Sequence, residues 1–188
     1  MNLQTYELPE SERTGYFKPK DGANKIRIVS EIMDYGSHFI KEEKKSHICL
    51  GAETCKYCKS GDRPKLRYLC WIIDRSDSSI KLYEFGHSII KQLLGLAKDE
   101  DYRFETLPPY DITITKKGAN LDTEYTVIAA RNNTPITEEE QAQIDGLDVI
   151  ASLINKKIEM EKKEIDEVAE VNVDEVLEPI KRESADED

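Results

Sequence analysis

The feature that most constrains this chain is a cluster of thiols. Three of its four cysteines fall in one short run, Cys49-x5-Cys55-x2-Cys58. A Cys-x2-Cys turn lets two thiolates converge on one ion, and zinc takes four tetrahedral S and N ligands at about 2.0–2.3 Å. Three Cys and one His make a closed structural site for one Zn2+ per chain. Gly51 and Gly61 stand on either side, where so small a loop needs sharp turns. Spacing alone leaves two histidines open as the fourth ligand. His47 lies two residues before Cys49, so on a strand both face one side; His38 sits upstream in the context Ser-His-Phe. Cys70 lies within an apolar run and reads as a buried small residue.

Other readings of the thiols are weaker. Met1 to Lys20 is polar with no apolar core, so no secretory signal is expected and the default location is the cytoplasm. A disulfide framework is not expected in that setting. Cys55-Lys-Tyr-Cys58 does not sit between a strand and a helix of a βαβ unit, which argues against a thioredoxin-like redox motif.

Around this cluster the chain alternates. Lys25 to Ile32 sets Ile26, Ile28 and Ile32 on one side, with Lys25, Arg27 and Glu31 on the other. That period of two marks a half-buried strand. Lys65 to Asp74, rich in aromatic and β-branched residues, reads as a central strand, and Ile80 to Phe85 as its hairpin partner. His87 to Lys98 has the spacing of an amphipathic helix. Asp111 to Lys116 and Thr123 to Arg131 are two more strands.

The expected fold is therefore mainly β: an OB-fold, a five-stranded barrel with an inserted zinc subdomain, one inserted helix and a C-terminal helix with an acidic tail. The boundaries are residues 1–24 for a mobile N-terminal arm, 25–136 for the barrel domain (zinc subdomain about 36–62) and 137–188 for the C-terminal helix and tail. The helical pattern covers Glu138 to Ala169 as one piece, with fraying beyond it.

Charge is divided along the chain. The net charge of −11 comes almost wholly from Glu138 onward, which holds 18 acidic and 6 basic residues. Within Lys18 to Arg75 the count is 13 basic and 8 acidic. A mildly basic body is compatible with a polyanionic partner, and the acidic tail reads on charge alone either as a solvated helical segment or as one that regulates access.

At this point the residues become familiar. Lys25-Ile26-Arg27-Ile28 and Gly36-Ser37-His38-Phe39 precede Cys49-x5-Cys55-x2-Cys58-x2-Gly61. Arg67-Tyr68-Leu69, Ile72-Ile73-Asp74-Arg75, Tyr125-x-Val127 and the acidic C-terminal region follow. In this order they resemble the phage-type single-stranded DNA-binding protein family, the group of the T-even helix-destabilising proteins, across Lys18 to Arg131. The resemblance implies an OB-fold, a zinc subdomain of one His and three Cys, and a His well upstream of the first Cys. That places His38 ahead of His47.

Binding a single strand without sequence preference takes cations along the backbone path and exposed aromatic faces for the bases. The candidates are Lys25 and Arg27 on the first strand, and Arg67, Trp71 and Arg75 alternating along the central one. Tyr83 and Phe85 lie on the neighbouring strand. Tyr35, Phe39, Lys56, Tyr57 and Lys59 lie around the zinc loop. Trp71, between Cys70 and Ile72, suits a core position as well as a platform. The acidic tail is expected to occupy the basic cleft or to dock replication and recombination proteins, in a monomer or weakly self-associating chain. No Gly-rich phosphate loop, paired carboxylates or nucleophile elbow argues for an enzyme. No apolar run approaches the roughly 20 residues of a membrane span. The competing reading is a zinc-ribbon adaptor that binds protein partners of replication or transcription machinery.

Overall fold

The computed structural model describes residues 15–119 and 122–175, with side chains described as far as Ile165. Residues 1–14, most of the arm, and 176–188, the end of the acidic tail, lie outside the described residues. Seven strands form one antiparallel sheet: β1 (Gly22–Ile28), β2 (Met33–Ile40), β3 (Lys45–Ile48), β4 (Lys65–Asp74), β5 (Ser79–Phe85), β6 (Ile112–Lys117) and β7 (Glu124–Ala129). The helices are α1 (Lys56–Lys59), α2 (His87–Lys98), α3 (Glu138–Asp145) and α4 (Ile150–Glu175).

β4 organises the sheet. One edge pairs with β5 along nearly its whole length, from Tyr68↔Phe85 to Asp74↔Ser79. The other edge is shared end to end: β2 pairs with Lys65 to Leu69, and β1 with Ile72 to Asp74. β1 then leads to β6 and β7, and β2 to the edge strand β3. The inner face buries Ile26, Ile28, Cys70, Ile72, Tyr83, Phe85, Ile112, Ile114 and Val127, closed by Ile89 and Leu93 of α2. Transfer of such side chains from water, at about 1.5–3 kcal/mol each, holds this layer together.

The sheet is open. Among the described residues β5 and β7 do not pair, so the sheet does not close into the expected five-stranded OB-type barrel. Two other features occupy the gap. Residues 15–17 lie parallel to β5: the Phe17 N–H donates to Leu82 O at 2.7 Å, and the Leu82 N–H donates to Gly15 O. Phe17 is buried with its ring edge-on to Tyr83 at 5.1 Å. Opposite, α2 presents Gln92 to β7. Its Oε1 accepts from the Val127 N–H and its Nε2 donates to Tyr125 O, both at 2.8 Å. A side-chain amide thus satisfies strand-edge groups that a closing strand would otherwise take.

The zinc region contributes a full hairpin, β2–β3. The single helix from Glu138 breaks at Gly146 into α3 and α4. Thr137 starts α3 with a complete capping box, its hydroxyl accepting from the Glu140 N–H while the Glu140 carboxylate accepts from its own.

Candidate metal centre and nucleic-acid interface

His38 comes from β2, Cys49 from the end of β3, and Cys55 and Cys58 from the start of α1. The ligand atoms of these four residues all lie within 4.8 Å of one another. Cys49 Sγ is 3.5 Å from Cys58 Sγ, and His38 Nε2 is 3.5 Å from the Sγ of both Cys55 and Cys58. A tetrahedron with bonds of about 2.0–2.3 Å has edges of roughly 3.4–3.8 Å, so the donors stand where a Cys3His zinc site needs them. The backbone makes room. Cys49 N–H donates to Gly36 O at 2.8 Å, and a methyl group on Gly36 would sit 2.9 Å from Cys49 Cβ. Gly51 and Gly61 take φ of +93° and +92°, the left-handed turns that bring the loop round.

Two of the thiols are perturbed by burial and by their neighbours. Burial and the neighbouring Cys49 and Cys55 push the Cys58 thiol up to about 12. Burial opposes ionisation of Cys55 too, but backbone hydrogen bonds from Cys58, Leu50 and Tyr57 bring it down to about 7. His47 stands apart from the cluster. Its Nδ1 is 2.9 Å from Glu161 Oε1 on α4, and its Nε2 is 2.7 Å from Glu43 Oε2. The Tyr57 ring lies between the two histidines, 5.4 Å from His38 and 5.0 Å from His47.

The cations expected along a nucleic-acid path do share the outer face of the sheet, as their alternation requires. The structure gathers several of them around one buried carboxylate. Arg27 Nε lies 2.8 Å, Arg75 Nε 3.2 Å and Lys25 Nζ 3.2 Å from Asp111, which is fully buried. Arg27 also donates to Asn133 Oδ1, and Arg75 to Glu140 Oε1 at 2.9 Å. The side chains of Arg27 and Arg75 are 7% and 5% exposed, so both guanidinium groups serve internal ion pairs instead of facing solvent. Burial opposes the Asp111 charge, but Arg27, the Thr134 N–H, Lys25 and Arg75 outweigh it and hold the carboxyl at about 2.

The aromatic candidates divide. Tyr83 pairs across from Cys70 and is buried in the inner core; Phe85 is buried there too. Tyr35 and Trp71 lie on the outer face beneath α4, packed with Leu69, Leu82, Ile150 and Ile154. Trp71 Nε1 donates to Asp148 O at 2.8 Å. Tyr35 donates to Glu84 Oε2 at 2.5 Å and receives Lys157 Nζ at 3.2 Å. Burial, followed by the Glu84 contact, pushes the Tyr35 hydroxyl up to about 12. Arg67 reaches the same Glu84 at 3.0 Å and remains 39% exposed. Phe39 is 57% exposed, and Lys56 and Lys59 project from α1 into solvent, beside a half-exposed Tyr57.

Four site residues were missed in the sequence: Asp62, Asp111, Glu140 and Lys157. No motif marks them, because each acts on a partner 24 to 122 residues away along the chain. Only Glu140 carried a signal, the Thr-x-x-Glu start of α3.

No protein-family model matches the chain, and no solved structure matches it. Among curated proteins it is 38% identical over 73 residues to one described as a probable ssDNA-binding protein, from Escherichia phage T5. The match takes in 37% of this chain and spans 28% of the length of that relative. Over that stretch the chain is similar to a phage protein described as a probable ssDNA-binding protein, in line with the family its motifs resemble.

Proposed function

We propose that this chain binds single-stranded DNA without sequence preference and protects it during phage DNA replication, recombination and repair in the cytoplasm of the infected host. The observation that carries the reading is the similarity to the probable ssDNA-binding protein of phage T5. The strand order supports an OB-type ancestry with the closing seam replaced. One structural zinc ion, held by His38, Cys49, Cys55 and Cys58, fixes the β2–β3 hairpin and α1 relative to the sheet. It leaves no open coordination position, so the ion's role is structural and not catalytic.

The strand path begins on the exposed side of the zinc subdomain, where Phe39 offers a ring face and Lys56 and Lys59 offer charge. It continues past Arg67 onto the outer face of β4. There Tyr35, Trp71, Arg27 and Arg75 are covered by the segment from Thr134 to Lys157. The C-terminal helices therefore act as a cover over part of the interface, and the acidic stretch beyond them as a competitor for the cations of the DNA path or a dock for replication partners.

The test is fluorescence anisotropy of labelled oligo-dT against a matched duplex over a range of salt. Tight binding to the single strand alone, weakening steeply with salt, supports the proposal. The burial of Arg27 and Arg75 favours the adaptor reading instead, and absence of binding with zinc supplied and the acidic tail removed would overturn DNA binding.

A further inference from the structure

The metal centre contains a residue beyond its four ligands. Histidines that bind zinc are oriented by a partner on their other ring nitrogen, which fixes the tautomer and raises ligand basicity. We propose that Asp62 is the positioning residue of this centre: it holds His38 as the Nδ1-protonated tautomer, with the Nε2 lone pair aimed at the ion. The inference rests on the zinc reading above.

The geometry is specific. Asp62 Oδ2 lies 2.7 Å from His38 Nδ1, while Nε2 of the same ring lies 3.5 Å from two cysteine sulfurs. A neutral imidazole carries one N–H, and a carboxylate only accepts. The proton therefore sits on Nδ1 and Nε2 is the free donor. His38 is buried on β2, whereas the Asp62 carboxylate is 51% exposed at the surface of the loop. The carboxylate is itself held by the backbone. The Asp62 N–H donates to Tyr57 O at 3.0 Å just past α1, and Gly61 makes the left-handed turn before it. One short loop thus supplies two thiols and the group that aims the histidine. Without the carboxylate nothing else described contacts Nδ1 to fix the tautomer.

The experiment measures zinc affinity of the full chain by chelator competition for the wild type, Asp62→Ala, Asp62→Asn and Glu53→Ala, an exposed acidic residue of the same loop. Visible spectra of the cobalt-substituted proteins and imidazole 15N shifts accompany it. Asp62→Ala is expected to bind zinc 10–100-fold more weakly, with an altered cobalt d–d band as His38 loses its fixed orientation. Asp62→Asn keeps an acceptor without the charge and falls between; Glu53→Ala matches the wild type. Equal affinity and an unchanged cobalt spectrum in Asp62→Ala overturn the proposal. If that variant does not fold, wild-type zinc affinity in Asp62→Asn overturns it equally. A wild-type chain with no zinc affinity refutes the zinc reading itself, which the wild-type arm reports before any variant is compared.

Discussion

Asp111 decides what several cations do. It is a fully buried carboxylate with Arg27, Arg75 and Lys25 around it, and removing one partner of such a group leaves unpaired charge in the interior. Asp111→Ala is expected to lower stability by about 3–5 kcal/mol in denaturant unfolding. The acid limb follows from the same group. Its carboxyl is held near 2, below the ordinary 3.8, so its contribution is complete above about pH 4 and is lost as pH falls toward 2. Thermal unfolding between pH 5 and 2 checks this, with Asp111→Asn expected to show a shallower acid limb. Residue parity was legible in part. Period two put Lys25, Arg27, Arg67, Trp71 and Arg75 on one face, where they are. It could not assign Tyr83, because the face of a residue on β5 depends on its register with β4, and Tyr83 pairs with inward-facing Cys70.

The elements with a strong period were readable as they stand: α2 over His87–Lys98, β4 over Lys65–Asp74, and the thiol loop between them and β2. The cover formed by α3 and α4 was not. An amphipathic stripe of Ile150, Ile154 and Ile158 says that a helix packs, not on which surface, and that surface proved to be the outer face of β4. Ile154→Ala is expected to cost about 2–5 kcal/mol by calorimetry or denaturant unfolding. If α4 covers the DNA path, the same variant raises affinity for oligo-dT at fixed salt; an unchanged affinity would place the path elsewhere. The open seam is an element-scale surprise of the same kind. A glutamine on a helix gives no sign in sequence that it serves as a strand edge. Gln92→Ala removes both of its bonds to β7 and is expected to destabilise by about 1–3 kcal/mol, because the buried Val127 N–H loses its acceptor.

At the scale of the molecule, charge is segregated along the chain: the C-terminal segment carries the acid, while Lys56 and Lys59 stand exposed on α1 of a nearly neutral zinc subdomain. Affinity for a single strand then depends on few phosphate contacts. The slope of log K against log salt is expected to fall by about 0.7 for each of Lys56→Ala and Lys59→Ala, measured by anisotropy titration. Two unchanged slopes would remove α1 from the path.

The cover also follows the surface it protects in the order of synthesis. The last strand ends at Ala129, and Ile150, Ile154 and Ile158 lie 21 to 29 residues further on. At roughly 5–20 residues per second, the nascent sheet exposes Leu69, Leu82 and Trp71 for a few seconds before its lid is made. During that interval the newborn chain offers a sticky apolar face to chaperones, to its polysome neighbours and to any nucleic acid nearby.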